Sequence, residues 1–255
     1  MKLEKQMKPK TKIDIDKIRL NRYIANCGVC SRREADTIIS DGLVKVNGKV
    51  IVEMGMKVSL DDKIEYKGKV LKREKFVYIL LNKPKGFVTT TKDPHAKRTV
   101  MDLVAKATDE RIYPVGRLDK ETTGLLLLTN NGDLTQKLTH PSNNIKKIYK
   151  VDLHKPITKN HMQELVNGIE MEDGMSVLDD IQVLDDSKKE VGVEIHSGKN
   201  RVIRRMFEHL GYHVRKLDRV VFAGLTKVDL PRGTWRELKS SELKILNTKQ
   251  KTPKK

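Results

Sequence analysis

The sequence predicts an α+β protein in two parts: a small module of two helices and a hairpin, then a larger domain whose mixed, mostly antiparallel central sheet is flanked by helices. Three observations predict it. Residues 18–66 hold two short helical stripes and one alternating hairpin pattern. A chain of 255 residues has room for one substantial domain beside such a module. Beyond residue 76, strand-like runs do not alternate regularly with helical ones, as they would in a doubly wound sheet.

In the module, Leu20, Tyr23, Ile24 and Cys27 recur at i, i+3, i+4 and i+7, one buried helix face, and Gly28 supplies the stop. Ser31-Arg32-Arg33-Glu34 has the form of a capping box, in which the serine accepts a backbone N–H and the glutamate reaches back to the cap. The helix it starts carries Ala35, Ile38 and Ile39 on one face and ends at Gly42. LVKVNGKVI then alternates apolar and polar residues around Asn47-Gly48, a hairpin signal. Arg19, Arg22, Arg32 and Arg33 fall off the apolar stripes, on a face suited either to phosphates or to water. A linker of low hydrophobicity is expected over 67–75, and disordered basic tails at 1–17 and 248–255.

The larger domain, residues 76–247, opens with FVYILLNKP, a strand closed by the turn chemistry of Lys83-Pro84-Lys85-Gly86. Four leucines in a row, Leu125 to Leu128, read as a strand buried on both faces. Asn130-Asn131-Gly132 is a turn, and Asp133 is expected to cap the short helix LTQKLTH. IYKVDL is a further strand, Met162, Leu165, Val166 and Ile169 mark a helix, and alternation at Ile181/Val183 and Val191/Val193/Ile195 marks two more strands. A helix from Arg201 to Leu210 and a strand near VVFAGL close the domain.

Lys and Arg number 52 against 34 Asp and Glu, a net charge of +18 that seeks polyanions. The basic residues are spread along the chain rather than gathered on one amphipathic helix, which favours nucleic acid over an anionic membrane surface. No apolar run approaches the ~20 residues of a membrane span, and MKLEKQMKPKTK lacks the apolar stretch of a signal peptide. A cytoplasmic protein that avoids membranes is expected. Cys27 and Cys30 lack the second pair of a zinc ribbon and the context of a redox motif, so they read as small helix-end residues. His209 and His213 span Leu210-Gly211 and do not form a metal cluster; no metal is expected.

The chemistry concentrates in GRLDKETTGLLLLTNNGD, residues 116–133. Asp119 stands on a loop entering a doubly buried strand, a rigid mount beside low-dielectric surroundings, where functional carboxylates are placed. Spacing alone favours a structural aspartate paired with Arg117 or Lys120. Asp119 and Glu121 are too close in sequence to flank a sugar from opposite sides, so no glycosidase pair is implied. Phosphate-cradling loops of the P-loop or Rossmann type are absent.

Residues 18 to about 65, with R-L-x-x-x-I-x-x-x-G-x-x-S-R-R-x-A and V-x-V-N-G, resemble the αL RNA-binding domain shared by a small-subunit ribosomal protein and several RNA-modifying enzymes. The run from Gly116, with KPKG at 83–86, Tyr149 in KIYKV and GKNRVIRRMFEHLGYHVRKLDRV from Gly198, resembles bacterial pseudouridine synthases of the subfamily that acts on ribosomal RNA and carries an αL domain. That resemblance implies isomerisation of uridine to pseudouridine with no cofactor. Its essential aspartate falls on Asp119, its basic partner on Arg204, and its aromatic on Tyr149, expected against the uracil. A buried carboxylate stays charged only beside a cation, and the resemblance assigns that task to Arg204, on the side of its helix away from Ile203, Met206, Phe207 and Leu210. An exposed basic face with an Arg204–Glu208 pair is the alternative. Arg117 is expected to fill the space of the extruded base or to grip a flanking phosphate, and Lys83, Lys85, Arg201 and Arg205 are further RNA contacts. The resemblance is to the large-subunit ribosomal RNA branch, with a monomer expected. A small-subunit enzyme, or a non-catalytic RNA-binding assembly factor on the same fold, are the alternatives.

Overall fold

The second helix of the N-terminal module begins where its capping box dictates, while the first starts after Arg19 without a side-chain cap. The computed structural model of the chain describes residues 17–91, 93 and 95–248, so that, but for Lys17 and Thr248, the expected tails lie outside the described residues. The chain divides into two compact units, Met1–Lys75 and Phe76–Lys255.

In the first unit, β1 (Ile18–Arg19) leads into α1 (Leu20–Asn26), and α2 (Arg32–Ser40) follows. The capping box forms: Ser31 N–H donates to Glu34 Oε2 at 2.7 Å and Glu34 N–H to Ser31 Oγ at 3.3 Å. Then come β2 (Val44–Val46), β3 (Lys49–Ile51), β4 (Lys57–Val58), β5 (Ile64–Tyr66) and β6 (Lys69–Val70). Asn47 and Gly48, at φ +50° and +83°, make the β2–β3 turn, whose two positive φ values match the twist of the flanking strands. Leu20, Tyr23, Ile24, Ala35, Ile39, Val44, Val46, Val58 and Ile64 form its core. Part of the span expected as a linker is sheet. Lys67 and Gly68, both at positive φ, fold β6 back onto β5, and Leu71 N–H donates to the Ile64 carbonyl at 2.8 Å.

The second unit contains β7 (Tyr78–Lys83), α3 (Val100–Val104), β8 (Tyr113–Pro114), β9 (Thr123–Thr129), α4 (Gly132–Thr139), β10 (Lys147–Leu153) and α5 (Lys159–Asn167). It continues through β11 (Asp180–Val183), β12 (Glu190–Ile195), α6 (Val202–His209), β13 (Val214–Phe222), β14 (Leu225–Thr226), β15 (Trp235–Glu237) and α7 (Ser240–Asn247). Among the described residues its sheet runs β11-β12-β10-β13-β9-β7-β15, with β14 beside β13 and β8 beside β9. One pair, β9 with β13, is parallel. The sheet is therefore mixed and mostly antiparallel.

The leucine run of β9 is buried on both faces. Leu126 and Leu128 join the larger core with Ile79, Leu81, Val151, Val193 and Phe207, while Leu125 and Leu127 join a second core with Leu80, Leu134, Phe222 and Leu246. Two expectations are corrected. Asn131, not Asp133, caps α4, its side chain accepting from Leu134 N–H at 3.1 Å, because the helix begins before its apolar pattern does. Ile169 lies beyond α5, which Gly168 ends at φ +108°. No helix among the described residues is long and apolar enough to cross a membrane.

Candidate active site

β9 and β13 run side by side only at Thr123–Asp218 and Gly124–Arg219. A Cβ on Gly124 would lie 2.3 Å from the Arg219 carbonyl oxygen and 2.5 Å from its nitrogen, so glycine alone permits this approach. Asp218 stands at the junction, accepting from Arg232 at 2.9 and 3.0 Å, from Thr123 Oγ1 at 2.9 Å, and from Lys227. Burial raises its carboxyl, but the bonds from Arg232 and Lys227 outweigh that and hold it below the ordinary range.

The loop before β9 carries Asp119, and it is braced from three sides. Lys83 Nζ donates to the carbonyls of Thr122 (2.8 Å), Asp119 (3.0 Å), Pro84 (3.3 Å) and Lys120 (3.3 Å). Gly86 N–H donates to the Lys120 carbonyl at 2.8 Å, and Thr89 Oγ1 to that of Leu118 at 2.7 Å. Lys83, expected as an RNA contact, is completely buried, which removes it from RNA. Its strand is covered on both faces, so its ammonium ends against carbonyls rather than water. Burial pulls that ammonium down to about 8, against the attraction of Asp119 and Glu121.

Asp119 faces a cleft of about 290 Å³, lined also by Arg117, Lys147, Tyr149, Arg201, Leu217 and Arg219. Its side chain is 36% exposed, at the mouth, with Arg201 Nη1 3.8 Å from Oδ2. Arg201 is the N-cap of α6, and its φ of +48° turns the chain into the helix there. Arg204, the expected partner, makes its hydrogen bond elsewhere, while remaining within the field of Asp119. It is 7% exposed and donates Nη1–H to the Val214 carbonyl at 2.8 Å. Burial, then repulsion from Arg201, lowers its guanidinium from the ordinary value, while Asp119, Glu208 and Glu121 pull the other way. The expected polar side of α6 is covered because the chain returns through Tyr212 into β13, and helical periodicity cannot show what returns to cover a face.

Tyr149 lies on the cleft wall, 9% exposed. Arg117 is exposed and lines the cleft. Lys85 is exposed and paired with Glu121 at 2.8 Å, and Arg205 is held by both guanidinium nitrogens on Asp173, at 3.1 and 2.8 Å. In the first unit, Arg19, Arg32 and Arg33 are exposed and Arg22 is half-exposed. Cys27, at the end of α1, is half-buried, and burial pushes its thiol up to about 11, so it stays protonated.

Three cations lining the cleft, Lys147, Lys199 and Arg219, escape the sequence reading, and Lys199 donates to the carbonyls of Asp173, Gly174 and Met175. Lys147 precedes Tyr149 by two on β10 and so shares its strand face, a signal that periodicity does carry. Arg219 has none, since a register shift places it: Ile148 pairs with Val221 but Tyr149 with Arg219, leaving Val220 as an extra residue.

A cleft with one carboxylate at its mouth and cations along its walls suits a single unit of a polyanion, and the carboxylate is its candidate acid–base or nucleophilic group. Residues 77–209 match the RNA pseudouridylate synthase family and residues 18–64 the S4 domain. The chain belongs to the RNA pseudouridylate synthase family, and it is 43% identical over 232 residues to the ribosomal large subunit pseudouridine synthase B of Bacillus subtilis, covering 89% of this chain and 95% of that one. It is 39% identical over 233 residues to the dual-specificity RNA pseudouridine synthase RluF of Escherichia coli, covering 89% and 77%. A crystal structure of a pseudouridylate synthase superposes with a TM-score of 0.63 at 28% identity, over 90% of this chain and 99% of that one.

Proposed function

We propose that this protein isomerises a specific uridine of large-subunit ribosomal RNA, with Asp119 acting at the sugar. The observation that carries the site assignment is the braced loop, which holds one carboxylate at the mouth of a cleft and 3.8 Å from a guanidinium. The ribosomal substrate is supported by the B. subtilis relative at 43% identity.

Uridine leaves its stack, which costs a few kcal/mol, and enters the cleft base first. The C1′–N1 bond breaks with its electron pair going to uracil, uracil turns, C5 bonds C1′, the C5 proton is lost to a base, and N1 takes up a proton, so that composition is unchanged. Asp119 attacks C1′, takes a proton from C2′, or stabilises the cationic sugar. Arg201 keeps a cation beside that carboxylate, and Arg204 contributes a second field from beneath it. Tyr149 packs against the uracil. Arg117 grips a flanking phosphate, and the arginines of the first unit supply affinity without reading the target base.

Asp119→Ala is expected to abolish isomerisation while RNA affinity stays within about threefold, because the cations that bind phosphate remain. Retained activity overturns the assignment. Mapping pseudouridine in ribosomal RNA from cells with and without the gene tests the substrate: one large-subunit position is expected to disappear, and a loss confined to another RNA overturns the ribosomal assignment.

A further inference from the structure

Two cations deep in the cleft have no part in the steps assigned to Asp119. Arg219 is 3% exposed; its Nε–H donates to the Leu125 carbonyl at 2.8 Å, its guanidinium lies 4.4 Å from the Phe222 ring centroid, and its Nη2 has no hydrogen-bond partner. Lys147 donates to the carbonyls of His196 at 2.7 Å and Ser197 at 3.3 Å. Both line the same cleft as Asp119 and Tyr149. The register shift at Val220 sets Arg219 opposite Tyr149 and Phe222 opposite Lys147, so the two cations flank the tyrosine. They are close enough to repel: burial first, and Arg219 second, bring the Lys147 ammonium down to about 8, with Asp179 opposing. A buried guanidinium with an unpartnered N–H beside a half-buried ammonium is unfavourable without an anion.

The position of Asp119 decides which anion. If Asp119 acts at the sugar, as proposed above, the ribose sits at the mouth, and its phosphates lie outward with Arg201 and Arg117. The base, attached at C1′, is then the part that reaches Tyr149 and the cations beyond. When the C1′–N1 bond breaks, its electron pair leaves with N1 and spreads onto O2 and O4, while the sugar carbon becomes cationic or is captured by the carboxylate. We propose that Lys147 and Arg219 are catalytic residues that hold the carbonyl oxygens of the departing uracil anion. No proton is consumed. The cations are fixed before the charge develops, which is what makes such stabilisation effective, and they hold the uracil until C5 turns to C1′.

The test is single-turnover kinetics on two RNAs, one with uridine and one with 5-fluorouridine at the target, read as loss of the N1–C1′ bond by nucleoside chromatography. Fluorine makes the uracil anion a better leaving group, so less help is needed. Lys147→Gln keeps an N–H donor for the His196 carbonyl but lacks the charge. It is expected to slow uridine cleavage by about a hundredfold and 5-fluorouridine cleavage by less than about tenfold, with RNA affinity nearly unchanged. Lys147→Arg is expected to recover most of the rate, and Arg219→Gln to show the same dependence on substrate. A variant that only disturbs the fold slows both RNAs equally. Equal losses on the two RNAs, or a loss confined to affinity, overturn the proposal. Failure of the Asp119 assignment is read separately, as isomerisation surviving Asp119→Ala.

Discussion

The cations of the two units contrast sharply. In the first unit, Arg19, Arg32 and Arg33 stand in water. In the second, Lys83, Arg204 and Arg219 are buried, each with a backbone carbonyl as acceptor. An exposed charge acts through a field that salt screens within about 8–10 Å. A buried one acts at short range, on an oxygen at a fixed place, and its removal leaves that oxygen unsatisfied. The same residue types therefore stand in two settings: the outer set is open to any polyanion in solution, and the inner set braces the loop and lines the cleft.

Removing an inner cation should have the largest effect. Lys83→Met leaves the carbonyls of Pro84, Asp119 and Thr122 without their ammonium donor and is expected to cost about 4 kcal/mol of unfolding free energy. Urea unfolding measures it, and isomerisation should fall further than the fraction unfolded explains. A change within about 0.5 kcal/mol would mean that the loop holds itself.

Gly124→Ala comes next, since its Cβ would meet the Arg219 backbone at 2.3 Å; a loss of about 3 kcal/mol is expected from overpacking and the positive φ. Thermal melting tests it, and an unchanged midpoint would show that β9 and β13 can part without harm.

The inner lysines also predict a pH dependence. Lys83 titrates near 8 in the fold and at the ordinary 10.5 unfolded. Between these values the unfolded chain holds one more proton, so this group's contribution to stability rises with pH across the window. The rise from about pH 8 to 10.5 should be smaller in Lys83→Met than in the wild type, as measured by urea titrations across that range; identical slopes would contradict the burial of the ammonium.

The outer set should respond least in stability. Arg32→Ala with Arg33→Ala is expected to change unfolding free energy by no more than about 0.5 kcal/mol. The pair should nonetheless weaken RNA binding and flatten its log-log salt slope by about 0.7 for each phosphate of a single strand that is no longer neutralised. An unaltered slope would remove these arginines from the RNA-facing set.

Much of the site is legible in the sequence because it is local. Asp119, its loop and the leucines behind it are contiguous, and a run of four leucines has one economical fate, a strand covered on both faces. The capping box at Ser31 and the turn at Asn47-Gly48 are likewise short-range chemistry. The burial of Lys83 and Arg204, and the place of Arg201 beside Asp119, are not legible for the opposite reason. A lysine in a turn motif and three arginines at one helix carry the same pattern whether water or another segment lies over them. Arg219 depends on one extra residue in a strand about 70 residues away from Tyr149, and nothing adjacent to it announces that shift.

The two helices and hairpin of the module, the leucine strand and the position of the candidate carboxylate were determined by the chain alone, because each follows from periodicity, caps and a contiguous motif, whereas α3, β8, β15 and α7 emerge only in the fold. Which guanidinium stands beside Asp119, which lysine is sealed inside, and which cations line the depth of the cleft were decided by tertiary structure. Burial and register are properties of what a residue meets across space, and a linear pattern contains only what it meets along the chain.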